Sequence, residues 1–227
     1  DSWDKIGNNR FILFKPRDIV SGDFYWGYAN DELSIWAAAD CTGHGVPGAF
    51  MSMLGVGLLN EIVAEGKIYE PAKILNNLRS KIIQSLEQKG EERKDGMDIA
   101  ICVLNQKTNV LQYAGAYNPL WIIRDSKLEQ VTIEHLNKPN DLSYIEENDK
   151  TLNEIKANKM PIGKFQKDNI PFTSYEIQLQ KGDMVYTFSD GYQDQFGGPN
   201  DDKYMSRTMK KFLLSIANEP AEKQLEL

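Results

Sequence analysis

The residue pattern predicts an α+β fold built on antiparallel sheets. Three observations carry that reading. Three short strand-like runs lead into two consecutive helical stretches; many strand-length segments separated by hairpin-type breaks follow; one further helix comes near the end. Strands and helices grouped in blocks, without regular βαβ alternation, favour antiparallel over parallel sheets. A chain of 227 residues is long enough for one domain with a sizeable core.

Taken in order, residues 1–10 are polar and read as a linker, and 11–227 as the domain. Arg10–Phe14 reads as a short strand ended by Pro16. Ser21-Gly22 marks a bend, the aromatics from Phe24 resume a strand, and Asp31-Glu32 turns the chain into Leu33–Ala39. The run Trp36-Ala-Ala-Ala-Asp40-Cys-Thr-Gly-His-Gly45-Val-Pro-Gly-Ala-Phe50 then changes character: an apolar strand breaks at a carboxylate, glycines flank a histidine, and a small-residue helix starts. Glycines there permit positive φ and close backbone approach, and Pro47 suits a first helical turn. That helix runs to about Ala64 with Phe50, Met53, Leu54, Leu58 and Ile62 as its apolar residues. A second, Pro71 to about Gln88, repeats Ile74, Leu75, Leu78, Ile82, Ile83 and Leu86 at helical spacing, with Arg79, Gln84 and Glu87 on the wet side. Residues 89–96 are a charged loop.

After that loop the period switches towards strands: Asp98–Leu104, Val110–Ala114, Leu120–Arg124 and Leu128–Ile133, with hairpin-like breaks at Lys107-Thr-Asn and Asp125-Ser-Lys. Residues 134–150 form a polar insertion, Leu152–Ala157 another strand, and Met160–Gly163 a compact turn. Thr173–Leu179 and Asp183–Ser189 are strands joined at Gln180-Lys-Gly; the second ends on Ser189-Asp190-Gly191, repeating the strand–carboxylate–glycine design. The last helix covers about Tyr204–Ala217.

A net charge of −7 with no basic cluster speaks against nucleic acid as a main partner. Two cysteines, Cys41 and Cys102, do not make a disulfide scaffold, so a reducing, cytoplasmic setting is expected. No stretch approaches the roughly 18 to 20 apolar residues of a membrane helix, and no signal peptide is read. Because the chain opens on Asp1, it is expected to be part of something longer.

The candidate chemistry rests on Asp23, Asp40 and Asp190, each at a strand end. Carboxylates without a cysteine or histidine cluster select hard cations such as Mg²⁺ or Mn²⁺. Two such ions bridged by a carboxylate can lower the pKa of a water between them, neutralise a phosphate and clamp an in-line attack.

Five segments resemble the SpoIIE-type branch of the metal-dependent (PPM) serine/threonine phosphatases. They are Asp18-Ile-Val-Ser-Gly-Asp23-Phe-Tyr-Trp26, Ala39-Asp40-Cys-Thr-Gly-His-Gly-Val-Pro-Gly-Ala-Phe-Met51, Ala114-Gly-Ala-Tyr-Asn-Pro-Leu120, Met160-Pro-Ile-Gly163 and Phe188-Ser-Asp190-Gly-Tyr-Gln-Asp194. They come in the family's order across nearly the whole chain. The resemblance implies a four-layer α-β-β-α sandwich of two antiparallel sheets, with two Mn²⁺ or Mg²⁺ ions at one end. It makes Asp40 the bridging ligand, the Cys41 carbonyl a further ligand, and Asp23 and Asp190 ligands of one ion each. Water would attack phosphoserine or phosphothreonine. It further implies the cytoplasmic output domain of a bacterial signalling protein acting on an anti-sigma-factor antagonist. The family's closing strand, whose Asp-Asp pair supplies another ligand, has no counterpart in these residues, since Asp201-Asp202 sits too early. An inner strand and a metal ligand are therefore expected to be missing, and an open sheet edge would invite a homodimer.

Lesser candidates are Asp98, with Asp95, for a third ion; Asp18 for a metal-bound water or a cap; His44 for a proton or the turn; and Asp194 as a turn residue. Asn118-Pro119 is expected to shape a hairpin near the site. Cys41 lacks the arginine six residues on that a cysteine phosphatase needs; that position is Pro47. Asp-Cys-Thr-Gly-His-Gly loosely mimics a histidine-kinase nucleotide element, but no asparagine-bearing helix precedes it. The remaining alternative is a phosphatase-fold module that binds or dimerises without turnover.

Overall fold

A computed structural model of the chain describes residues 6, 9–87, 95–128, 132–133, 142–147, 149–165 and 170–227. The linker residues 1–5, 7 and 8, most of the charged loop and residues 134–141 of the insertion lie outside the described residues.

The chain forms β1 (Phe24–Ala29) and β2 (Leu33–Cys41), then α1 (Gly45–Leu59), which continues as a π-helical stretch over Asn60–Glu65. Next come α2 (Pro71–Glu87), β3 (Gly96–Asn105), β4 (Val110–Ala116), β5 (Leu120–Arg124), β6 (Thr132–Ile133) and β7 (Leu142–Glu147). β8 (Lys150–Ile155), β9 (Ile162–Gly163), β10 (Tyr175–Gln178) and β11 (Met184–Tyr186) follow. The chain then forms β12 (Phe196–Gly197), β13 (Asp202–Lys203), α3 (Met205–Ile216) and α4 (Ala221–Glu226). The first sheet runs β1-β2-β3-β4-β10-β6, with β9 also on β3; the second runs β11-β5-β8-β7. All pairings between these strands are antiparallel.

Strand alternation assigns the layers. Ile99, Ile101 and Val103 of β3 join Ile35, Ala37 and Ala39 of β2 in a core shared with α1 and α2. Their neighbours Ala100 and Cys102 face the other way, meeting Leu120, Ile122 and Ile155 between the sheets. On the far side, Trp121, Ile123 and Leu152 pack on Met209, Leu213 and Leu214 of α3. Three cores fill three interlayer spaces, so the four-layer α-β-β-α sandwich expected from the sequence is what forms.

Several local readings change. Arg10–Phe14 makes no strand; its side chains hold it, with Phe11 packing against the α3 core and the Phe14 ring meeting Tyr25 edge-on at 5.4 Å. Asp125-Ser-Lys is no hairpin, because β5 lies in the second sheet and β6 in the first. Leu128 is buried but outside a strand; β6 is described over Thr132–Ile133, and residues 129–131 of the expected strand lie outside the described residues. The polar insertion contains β7, an edge strand paired only to β8, which needs few apolar residues beyond Ile145 against the α3 core. Ile162–Gly163 extends the compact turn into a rung on β3. Arg79 is buried, not wet: its guanidinium donates to the Ile170 carbonyl at 2.8 Å and lies over the Phe172 ring.

Gly45–Glu65 spans 21 residues and is, by length and composition, apolar enough to cross a membrane, which corrects the expectation that no stretch comes close. Its valines, leucines, methionines, Phe50 and Ile62, with charges at Glu61 and Glu65 alone, raise its hydropathy. One face, with Met51, Leu58, Leu59, Ile62 and Val63, is buried on the first sheet, while Val46, Phe50 and Met53 are exposed. The Trp26 indole N–H donates to Asn60 Oδ1 at 2.9 Å where the π-helical stretch begins.

The start of α1 is fixed by backbone contact. A Cβ at Gly48 would stand 2.6 Å from the Gly43 carbonyl oxygen and 3.1 Å from Gly22 Cα, whereas one at Gly57 would meet nothing within 4 Å. Gly48→Ala is therefore expected to destabilise the fold by about 1–3 kcal/mol through overpacking, against its better helix propensity. Gly57→Ala in the same helix should gain roughly 0.5–1 kcal/mol. Urea denaturation midpoints at unchanged slope check both.

Candidate metal centre

Asp40 is the penultimate residue of β2, and its Cα partner on β3 is Asp98. Alternation turns both away from the helix-side core, because Ala39, Cys41, Met97 and Ile99 occupy that side. Asp40 and Asp98 therefore lie on the inner face of the first sheet, at the mouth between the sheets. Asp98 sits within β3 rather than before it, between the rung given to β9 (Met97 with Ile162) and that given to β4 (Ile99 with Ala116). Asp23 arrives just ahead of β1, whose Phe24 pairs with Ala39. Asp190 comes from the second sheet, four residues past Tyr186 at the end of β11.

Local sequence explains why the turn after Asp40 holds its shape. Gly43 and Gly45 adopt φ of +91° and +63°, conformations closed to most side chains. A Cβ at Gly22 would lie 2.9 Å from the Gly43 carbonyl oxygen and 3.1 Å from that of Cys41, so the bend before Asp23 rests directly on the turn after Asp40. Ser21 Oγ accepts the Asp23 N–H at 2.9 Å, and Ser52 Oγ of α1 donates to the Ser21 carbonyl at 3.1 Å. Thr42 closes the other side, its N–H donating to the Gly96 carbonyl at 2.9 Å.

The electrostatics follow from this gathering. Burial, and then the charges of Asp23 and Asp190, push the Asp40 carboxyl up to about 8. Burial and Asp190 push Asp98 up to about 6. Four carboxyl groups thus come into one electrostatic neighbourhood. Among the described residues, however, no three His, Cys, Asp or Glu side chains close into a cage. The donor set fits hard divalent cations: it is all oxygen and rich in carboxyl groups. Asp23, Asp40 and Asp190 are the side chains that would hold them, with the Cys41 carbonyl beside Gly22.

The lesser candidates separate. Asp18 is exposed and is not among the carboxylates whose field raises Asp40. Asp194 pairs with Lys203 at 2.7 Å in the β12–β13 hairpin. His44 is exposed at the N-terminus of α1 and makes no capping hydrogen bond. Asn118 shapes no hairpin: it lies where the chain crosses from β4 of the first sheet to β5 of the second, buried, with its Nδ2 unpartnered among the described residues. Sequence reasoning passed over Ser189, whose Oγ donates to Asp23 Oδ2 at 2.6 Å. The only signal was a serine near each of two carboxylates, in Ser21-Gly-Asp23 and Ser189-Asp190.

Known structures share this architecture. The SiaA-PP2C domain of Pseudomonas aeruginosa is similar at TM-score 0.75 and 27% identity, over 95% of this chain and 74% of that one. The PP2C phosphatase domain of SpoIIE from Bacillus subtilis, solved with a fragment of its regulatory domain, is similar at 0.63 and 17%, over 92% of this chain and 53% of that one. This chain thus spans about half of that structure. RsbX in complex with magnesium is similar at 0.56 and 15%, over 94% and 81% of the two chains. The fold is that of a PP2C phosphatase domain. Residues 31–227 match the family described as Stage II sporulation protein E (SpoIIE), and the chain belongs to that family. No curated protein matches it.

The raised carboxyls set a pH dependence. In the unfolded chain Asp40 and Asp98 return to the ordinary value of 3.8, so between there and about 8 the folded state holds protons that the unfolded state has released. Stability without divalent cations should therefore fall as pH rises through that window. Asp40→Asn should flatten the upper part of the slope, as read from melting temperatures against pH in chelator.

Proposed function

We propose that this chain is a metal-dependent protein phosphatase that hydrolyses phosphoserine or phosphothreonine. The observation that carries the reading is the acidic mouth, where Asp40 meets the charges of Asp23 and Asp190 under enough burial to raise it to about 8. A surplus of buried negative charge is costly alone and becomes favourable around cations. Two bound Mn²⁺ or Mg²⁺ ions would supply charge neutralisation for a phosphoryl group and an activated water. Asp40 would bridge them; Asp23 and Asp190 would each hold one, the Cys41 carbonyl would add a ligand, and Asp98 would serve a weaker third position. The rigid glycine turn keeps these oxygens in register. Family membership supports a role as the cytoplasmic output domain of a bacterial signalling protein. It also supports a phosphorylated anti-sigma-factor antagonist as substrate, although fold and motif alone do not specify a partner.

One observation favours a second reading, a module of this fold that binds phosphoprotein without turnover: the described acidic side chains do not close a cage by themselves.

Hydrolysis of p-nitrophenyl phosphate and of a phosphoserine peptide, with Mn²⁺, Mg²⁺ or chelator, separates the two. Turnover is expected only with a divalent cation, and Asp40→Asn should lower it roughly a hundredfold or more, since metal-assisted charge stabilisation is worth several kcal/mol. Turnover untouched by chelator overturns the proposal. Cation-dependent binding of the phosphopeptide without turnover selects the second reading.

A further inference from the structure

Asp23 and Asp190 come from different sheets, and nothing in either sheet's ladder fixes their separation. Besides their shared neighbour Asp40, a direct contact ties the two segments together. Ser189 Oγ, carried on the segment after β11, donates to Asp23 Oδ2 at 2.6 Å across 166 residues of sequence. That length lies at the short end of the range for O–H···O hydrogen bonds. The Asp23 carboxyl also rests against the turn itself: a Cβ at Gly191 would stand 3.5 Å from Asp23 Oδ2 and 3.6 Å from Ser189 Oγ. The other end of Asp23 is held by its N–H to Ser21 Oγ at 2.9 Å. Asp23 is thus gripped from its own loop by Ser21 and from the opposite sheet by Ser189.

We propose that Ser189 is a positioning residue for the metal centre. By engaging Oδ2 it leaves Oδ1 of Asp23 available to a cation, and it sets the spacing between Asp23 and the adjoining Asp190. The hydroxyl neither ligates metal nor touches the phosphoryl group; it acts through Asp23. This inference rests on the assignment of Asp23 as a metal ligand. Threonine at this position would keep the function, while alanine or valine would lose it.

The test is Mn²⁺ binding to the whole chain, by titration calorimetry and by the electron paramagnetic resonance signal of free Mn²⁺, with no substrate present. Removing an outer hydrogen-bond partner of a metal ligand typically costs 10–100-fold in affinity, so Ser189→Ala and Ser189→Val should weaken Mn²⁺ binding by about tenfold or more. Ser189→Thr, which differs from the valine variant by one hydroxyl, should bind as the parent does. In an Asp23→Asn background, Ser189→Ala should cause little further loss, because the two act as one unit. Equal affinity of the threonine and valine variants, or additive losses in the double variant, would overturn the proposal while leaving the metal site intact. If Asp23→Asn itself binds Mn²⁺ as the parent does, the assignment of Asp23 fails and the inference with it. A parent chain that binds no Mn²⁺ overturns both.

Discussion

Like charges gathered at one end of the sandwich are the constraint to which the rest of the structure answers. Asp40 and Asp98 stand opposite each other on neighbouring strands, with Asp23 and Asp190 brought in from either side. Like charges directly across a ladder are unfavourable, and partial burial magnifies the repulsion. Such a cluster persists only where the backbone leaves the carboxyls nowhere to go. The contacts among Gly22, Gly43 and Gly48 supply that rigidity: a Cβ at Gly22 or Gly48 would crowd the Gly43 carbonyl oxygen, and Gly43 itself holds φ of +91°, so bend, turn and helix start form one block.

The opposite end of the sandwich provides the complementary half. Arg124, at the far end of β5, donates through Nε to Asp183 Oδ1 at 3.0 Å, pairs through Nη2 with Asp183 Oδ2, and reaches the Gln178 carbonyl at the end of β10. The pair is nearly inaccessible, with side-chain exposures of 7% and 3%. Asp183 Oδ2 also accepts the Gln180 N–H at 2.9 Å, closing the turn into β11. This contact joins the two sheets where β10 and β5 end. A buried pair of this kind is weak evidence for extra stability, but its bidentate geometry fixes orientation. The sandwich is thus clamped by a satisfied ion pair at one end and left with unsatisfied like charge at the other. Only the second end can gain from a cation.

This division explains what could be read in the sequence. Apolar runs leading to Asp40 and Asp190, each with a glycine close behind, are local patterns with local causes; the structure keeps Asp40 at the end of β2, whereas β11 stops at Tyr186, short of the expected Ser189, and Asp190 lies in the turn beyond it. The two helical stripes are likewise local, and α1 and α2 form close to where the periodicity puts them. Arg79 was misread because its cover, Ile170 and Phe172, lies some ninety residues on; helical spacing cannot see it. Asp98 gains its place from the β2–β3 register, and Ser189 from a contact between sheets. β7 escaped because an edge strand with one partner has little need of a hydrophobic pattern. The turn at Asp125 resembled a hairpin because a crossover between sheets uses the same polar residues.

Cys41 shows why the mouth suits hard cations and not thiol chemistry. It follows Asp40 directly, yet strand alternation sends its side chain into the helix-side core, where it is 3% exposed. Burial, then the charges of Asp40 and Asp23, push the thiol up to about 12, so it stays neutral at physiological pH. A neutral thiol is neither a competent nucleophile nor a soft metal ligand. Burial silences the sulfur first, and the carboxylates that make the site attractive to a cation add to that effect. What Cys41 can offer the mouth is its backbone carbonyl oxygen, packed close to Gly22. Carboxylate and carbonyl oxygens favour hard cations over the soft metals that thiolates select.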